Sequence, residues 1–416
     1  MKKFKLLLLV IVFMLTMLAS CASAPMDGKG DYAGGMESAP SDGETEVDPE
    51  APEEDEKPSP IMPGQLTACA YDDNEHFAFW KSLITSSQEG SGIFSGYYSQ
   101  FMFQTLNRIK ITVPASVPTK VSLLNGQEVI SSAHTDASGV AYIYAPSNET
   151  EYNICLEYYK EDSNEVVRYH DIITGDTDYN LTGISKKQDA IQIMFVIDTT
   201  GSMGDELEFV KAEVIDIMTQ VEEAFPDTRL ELSVMVYRDY GDNYVTKYSD
   251  FLTDFNKQKN FISNESASGG GDFEEAVHTA LTEASEKQWS ENAKTKLLFH
   301  IADAPSHNED VSSWVKATKT LADKGVHIIT VASSGIDKKT EYFFRSQSMI
   351  TNGKYVYLTN DSGIGGDHLE ATVEERPVVE YLNACLVRLI KGYHTGIFEE
   401  PIHWQQTVKD EPEYQQ

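Results

Sequence analysis

From residue 189 onward the chain alternates between apolar runs and amphipathic stretches, and no other feature restricts its fold as strongly. DAIQIMFVID, RLELSVMVYRD, KLLFHIADAP, VHIITVAS and GKYVYLT are rich in large aliphatic and aromatic residues along most of their length. A strand that is apolar on both faces must be covered on both, which is the pattern of a mostly parallel sheet with helices above and below. The stretches between supply those helices. GDELEFVKAEVIDIMTQVEEAF places Leu207, Val210, Val214, Ile217 and Met218 near one face. DFEEAVHTALTEASEK, VSSWVKATKTLADKG and TEYFFRSQSM continue the alternation, YVTKYS predicts a shorter strand, and a last helix is expected over about 371–391. The expected fold class is therefore α/β, a doubly wound and mostly parallel sheet. Ligands of such sheets sit beyond the carboxyl ends of the strands. Three acids fall at strand ends on that edge: Asp198, Asp239 and Asp303.

The first of these ends reads DTTGSM. Thr200 and Ser202 follow Asp198 at steps of two, so three side chains can converge from one turn. Asp272 in GGGD and Asp303 would close the set from neighbouring loops. Alone, DTTGS also describes a capped helix start, and an oxygen-rich helix start can hold an anion. Three carboxylates on one edge repel an anion and favour a cation. Carboxylates and hydroxyls are hard donors, suited to Mg²⁺ or Ca²⁺ rather than zinc. Asp239 and Asp242 of YRDYGD belong to the same edge, either as outer supports or a second cation site, or as ordinary turn residues. His307 in DAPSH is placed to orient a loop or approach a ligand, although a lone exposed His more often does neither.

Strand–DTTGSM–helix, then a GGGD turn and a strand ending in ADAP, resembles a von Willebrand factor type A domain over about residues 188–395. The resemblance implies a metal-ion-dependent adhesion site of the form Asp-x-Ser-x-Ser, with a Thr and an Asp from later loops. Asp198, Thr200 and Ser202 match its first part and Asp303 its late Asp. Asp272 stands where the family has Thr, which adds a formal charge. The family also implies a coordination position that a Glu or Asp carboxylate of a partner completes, and a C-terminal helix that shifts in some members.

The N-terminus carries targeting information. Lys2, Lys3 and Lys5 precede the apolar run LLLLVIVFMLTMLA, and Leu18-Ala19-Ser20-Cys21 follows. This resembles a bacterial lipoprotein signal, residues 1–20, with Cys21 lipidated; an ordinary secretory signal or a short membrane anchor is the plainer alternative. Residues 21–66 are expected to be an acidic disordered tether, since Asp27 to Lys57 holds 12 acids against 2 lysines. Residues 67–106 are hard to assign, with DDNEH read as a helix start rather than a metal loop. Over 107–180, NRIKITVP, TKVSLLNG, GVAYIYAP, NICLEYYK and EVVRYHDII predict short strands, with a hairpin turn at Asn125-Gly126. Its Thr135-Asp136…Gly139 turn resembles that of small prealbumin-like β-sandwich modules. A tail follows at 396–416. Beyond Cys21, the widely spaced Cys69, Cys155 and Cys385 read as scattered buried cysteines.

A formal charge of −33 argues against nucleic acid or polyphosphate as partner. GIGGD at 363–367 lacks the spacing of a nucleotide loop. The expected function is that of a non-enzymatic protein, lipid-anchored on the extracytoplasmic face of the cell membrane. Its cation site would bind a protein ligand with an acidic residue, or a matrix component. An envelope assembly or regulatory subunit with a structural cation is one alternative. A hydrolase using a metal-bound water is another, though no general base or G-x-S-x-G nucleophile stands beside the acids.

Overall fold

The computed structural model describes residues 61–407 except 86–91, 102, 115–117, 162, 164 and 185–187. The expected signal, Cys21 and nearly all of the tether lie outside the described residues. Among the described residues no helix is long and apolar enough to cross a membrane.

The described chain opens with β1 (Thr67–Tyr71), α1 (Phe77–Thr85) and α2 (Ser95–Phe101). Seven strands follow: β2 (Asn107–Thr112), β3 (Lys120–Asn125), β4 (Glu128–His134), β5 (Val140–Ala145), β6 (Tyr152–Tyr159), β7 (Val166–Ile173) and β8 (Thr177–Asp178). The alternating part begins with β9 (Gln188–Asp198), α3 (Leu207–Ala224), β10 (Arg229–Tyr237), β11 (Thr246–Leu252), α4 (Phe255–Ser263) and α5 (Val277–Glu286). It continues with β12 (Ala293–Ala302), α6 (Val311–Asp323), β13 (His327–Ala332), α7 (Lys338–Ile350) and β14 (Tyr355–Leu358). It closes with β15 (Glu380–Tyr381), α8 (Leu382–Thr395) and α9 (Trp404–Thr407).

Eight strands form one sheet in the order β11-β10-β9-β12-β13-β14-β1-β15. The five from β10 to β14 in that order are parallel, with β11 and β1 antiparallel on either side. Successive side chains of a strand point to opposite faces, and the core divides accordingly. Ile191, Ile193, Phe195 and Ile197 of β9 join Val210, Val214, Leu386 and Leu389 of α3 and α8 on one face. Met194 and Val196 join Leu281, Trp314 and Phe343 of α5, α6 and α7 on the other. Phe195 and Phe299 stack at 5.2 Å in the middle of the sheet. Each fully buried side chain of this size contributes about 1.5–3 kcal/mol, so these two layers are the main stabilising term. The sheet and its helices are the α/β arrangement expected.

Three details differ from expectation. Residues 67–71, left unassigned, are a strand of the main sheet, so the β-rich segment is inserted between β1 and β9 instead of preceding the sheet. The C-terminal helix begins at Leu382, not near 371. Pro377 explains this, because proline has no N–H to donate and disfavours helical backbone in the residue before it. Helix α5 begins at Val277, not at Asp272. The Glu275 N–H donates to the Pro305 carbonyl at 2.9 Å, which holds 272–276 out of the helix.

The inserted segment makes two small sheets, β5-β2-β8 and β4-β3-β6-β7, around a shared core of Ile109, Val121, Ile143, Ile154 and Leu156. The β3–β4 hairpin turns at Asn125-Gly126, as expected. These sheets dock at the amino edge of the main sheet. Ser132 donates to Asp323 at 2.6 Å, Lys120 pairs with Asp323 at 2.6 Å, and the Tyr142 N–H donates to Asn352 at 2.8 Å. Cys69, Cys155 and Cys385 are buried and free.

The chain enters the main sheet on the opposite edge. Thr67, the first residue of β1, lies level with Thr359 beyond the end of β14, on the carboxyl edge of the parallel strands. Just before it, the backbone N–H groups of Gly64, Gln65 and Leu66 all donate to the Glu213 carboxylate of α3, at 2.9, 2.9 and 3.1 Å.

Candidate metal centre

Strand register brings the acids together. Asp198 pairs with Tyr237, and Ile197 pairs with Ile301, so the ends of β9, β10 and β12 share one edge. Asp198, fully buried, caps the turn that follows: its Oδ1 accepts from the Thr200 N–H at 2.9 Å and the Thr200 hydroxyl at 2.6 Å. The Thr200 and Ser202 hydroxyls stand 3.1 Å apart. The turn is a short 3-10 helix, Gly201–Asp205, ahead of α3. Asp303 is buried one residue beyond β12, with the Ser202 hydroxyl favouring its charge. The structure thus brings Asp198, Thr200, Ser202 and Asp303 to one place.

Asp272 is placed differently. It is exposed and groups with Asp239 and His307, one ligand atom from each lying within 4.8 Å of the others. The carboxyl group that faces Asp198 and Asp303 from this loop is Glu275, which the sequence reading missed. Glu275 is buried at 2% exposure, and the charges acting on it are, in order, those of Asp198, Asp239, Asp303 and Asp242. Glu206, at the start of α3, is a second omission. It is fully buried, accepts from the Ser334 N–H at 2.8 Å, and stands 3.1 Å from His368 of the 363–370 loop. In FEEAV and GDELEF both glutamates look like first-turn helix residues, so only the tertiary contacts reveal them.

The glycine loop is stapled to the end of β9. Ser268 N–H donates to Thr199 and Gly201 N–H to Gly269, at 3.1 and 3.0 Å. Arg238 donates to the Thr199 and Ser266 carbonyls at 3.1 and 2.7 Å. Asp242 accepts from the Gly270 N–H at 2.9 Å and the Asp239 N–H at 3.2 Å. Two of the three glycines are required here: Gly269 and Gly270 have φ of +82° and +73°, and an added Cβ would meet Asp242 at 2.4 Å or Glu275 at 2.8 Å.

Four buried carboxylate oxygens at this edge have no hydrogen-bond partner among the described residues: Asp198 Oδ2, Glu206 Oε2, Glu275 Oε2 and Asp303 Oδ1. Buried polar atoms are nearly always satisfied, so four orphans along one edge of the sheet fit a cation. Burial raises the carboxyl pKa values correspondingly. Asp198 is pushed up to about 6 despite its bonds from Thr200. Asp303 is pushed up to about 7, with the Asp198 charge adding to burial. Glu275 is pushed up to about 9.

These shifts set a pH dependence. A raised carboxyl pKa means that the native chain keeps protons the unfolded chain has released, so stability falls as pH rises through that range. Burial lowers the pKa values of His278, His300, His327 and His394, which are then neutral in both states above about pH 7. Between about pH 7 and pH 9 the melting temperature of chelator-treated protein should therefore fall, and the gain on adding Mg²⁺ or Ca²⁺ should grow. A chelated melting temperature that stays flat or rises over this window contradicts the acid cluster.

A mostly parallel sheet with helices on both faces, and acids at the carboxyl ends of its strands, is the architecture that comparison with known proteins also finds. Residues 192–370 match the family model described as von Willebrand factor A domain. The chain is similar to a protein of Acanthamoeba polyphaga mimivirus described as an ariadne-like RING finger protein, 25% identical over 195 residues, covering 41% of this chain and 18% of that protein. It is also similar to the alpha-protein kinase vwkA of Dictyostelium discoideum, 22% identical over 175 residues, covering 41% of this chain and 27% of the kinase. The chain thus matches about a fifth to a quarter of the length of these relatives. Among solved structures, BatB of Bacteroides thetaiotaomicron aligns with a TM-score of 0.31 at 16% identity, covering 40% of this chain and 90% of BatB. An aerotolerance-related membrane protein of Bacteroides fragilis aligns with a TM-score of 0.32 at 13% identity, covering 50% of this chain and 100% of the other.

Proposed function

We propose that this chain is a non-enzymatic, lipid-anchored protein of the extracytoplasmic membrane face. In this reading it binds a protein or matrix partner through a divalent cation held by Asp198, Thr200, Ser202 and Asp303. The four orphaned carboxylate oxygens at the carboxyl edge carry this reading. A bound Mg²⁺ or Ca²⁺ supplies positive charge and an exchangeable coordination position. Asp198 and Asp303 balance the charge of one dication. Glu275, whose carboxyl is pushed up to about 9 by burial and the neighbouring acids in the metal-free chain, offers a further oxygen. The exposed Ser202 lies on the open side, where a Glu or Asp of the partner would approach. Membrane attachment rests on Leu18-Ala19-Ser20-Cys21 and the acidic stretch behind it. The two small sheets serve as a prealbumin-like packing partner on the far edge.

A structural or regulatory cation in an envelope subunit is the second reading. The third carboxylate, Glu275, favours it: once ionised it would over-neutralise the cation and repel an outside carboxylate. The two are separated by capture from envelope extract with the intact chain. Binding that needs Mg²⁺ or Ca²⁺, is competed by a Glu- or Asp-bearing peptide and is lost with Asp198→Ala supports partner binding. Equal capture by wild type and Asp198→Ala overturns it.

A further inference from the structure

The grouping of Asp239, Asp272 and His307 is separate from the four donors of the proposed first centre. Each residue comes from a different loop: Asp239 after β10, Asp272 from the glycine loop, His307 after β12. One donor atom of each lies within 4.8 Å of the others, and His307 Nε2 is 2.8 Å from Asp239 Oδ1. Octahedral ligands at about 2.1 Å from a metal lie about 3 Å apart when adjacent and about 4.2 Å when opposite, so the trio needs little adjustment to surround an ion. Its geometry is fixed from behind. Asp242 holds both the Asp239 backbone and the loop that presents Asp272. Tyr240 stacks on the His307 ring with centroids 6.0 Å apart, and its hydroxyl is 2.7 Å from His278 Nε2.

Glu275, whose orphaned oxygen is counted above with the first centre, also bears on this group. Its buried Oε2 has no partner, and it feels Asp239 and Asp242 as well as Asp198 and Asp303. A buried unpaired oxygen is costly to leave unmade, and this one belongs to a side chain within reach of both groups of acids.

We propose that Asp239, Asp272 and His307 form a second cation site beside the first, taking a first-row transition dication rather than Mg²⁺ or Ca²⁺. The imidazole decides the class. Nitrogen is a poor donor for the hard alkaline-earth ions and a good one for Mn²⁺, Co²⁺ or Zn²⁺. Two carboxylates neutralise the ion, and Asp272, exposed, gives access from solvent.

The test is Co²⁺ titration of the full chain in excess Mg²⁺, followed by visible absorption and calorimetry. The wild type should bind one Co²⁺ that Mg²⁺ does not displace. His307→Ala and His307→Gln should each weaken it by at least about 100-fold, beyond the ~10–100-fold typical of losing a ligand's supporting group. Gln can still donate to Asp239, so a His307→Gln chain with a wild-type melting curve reports the missing nitrogen alone. Asp198→Ala should keep this Co²⁺ while losing Mg²⁺ binding. No Mg²⁺-resistant Co²⁺, or unchanged Co²⁺ affinity in a folded His307→Gln chain, shows an Asp–His pair only and overturns the second site. Unchanged Mg²⁺ affinity in Asp198→Ala would instead count against the first centre and leave the His307 result standing.

Discussion

Asp198→Asn should remove divalent-cation binding and, in the same molecule, raise the melting temperature of the metal-free protein. The two effects share one cause. Asp198 is fully buried, its Oδ1 is occupied by Thr200, and its Oδ2 is open. With a cation present, that oxygen supplies charge and a bond; without one, it is a desolvated carboxylate whose pKa is pushed up to about 6. Asn keeps an oxygen for the Thr200 donors and deletes the charge. Loss of a charged ligand should lower Mg²⁺ or Ca²⁺ affinity by at least about 100-fold in calorimetric titration. Relief of the desolvated charge should stabilise the chelated protein by on the order of 2 kcal/mol near pH 8. Asp198→Ala should lose the cation equally, but without the same gain, because the Thr200 N–H loses its acceptor. Unchanged affinity in either variant would remove Asp198 from the site.

The second large effect is expected far from the acids, at Arg345→Ala. Arg345 of α7 is fully buried and donates to Asp73 through Nε at 3.0 Å and Nη2 at 2.5 Å, and to Glu341 at 3.1 Å. The rings of Tyr71, Trp80, Phe94 and Tyr355 surround its guanidinium at 5.3–5.8 Å. Removing it strands the Asp73 carboxylate in this aromatic shell, while Glu341 keeps Lys338 at 2.8 Å and the Thr372 N–H at 2.6 Å. Truncating one member of a buried ion network costs about 3–5 kcal/mol, and denaturant unfolding should show a loss of that size. Arg345→Met combined with Asp73→Asn should lose less than the sum of the single variants, because each change removes the charge the other would leave unpaired. A loss under about 1 kcal/mol for Arg345→Ala would show that residues 71–80 are not locked to α7 through this group.

The parts of the fold legible in sequence were those whose burial is written locally. IQIMFVID and KLLFHIAD lie between helices on both faces, and their composition says so. TACAY does not, because five residues with two alanines and a cysteine carry no period of their own. Its place in the sheet comes from pairing with YVYL, almost 300 positions away. The site divides in the same manner. Asp198, Thr200 and Ser202 are readable because one turn supplies all three, and Asp303 because it ends an apolar strand. Glu275 was hidden by FEEAV, whose acids and alanine favour a helix; the bond from its N–H to Pro305 overrides that preference. Asp272 joins the first centre by its position in a motif, while in the structure its carboxylate groups with Asp239 and His307.

The placement of β1 has a mechanical consequence. The chain reaches Thr67 on the same edge that carries Asp198, with Glu213 of α3 gripping the backbone just ahead of it. A pull from the N-terminal side therefore loads the Glu213 clasp first, and only then the end of β1 and its hydrogen bonds to β14 and β15. If the opposing force is a partner held at the acid cluster, the load path runs across one rim of the sheet and through α3. The two small sheets, docked on the far rim at Asp323 and Asn352, carry no tension in that arrangement.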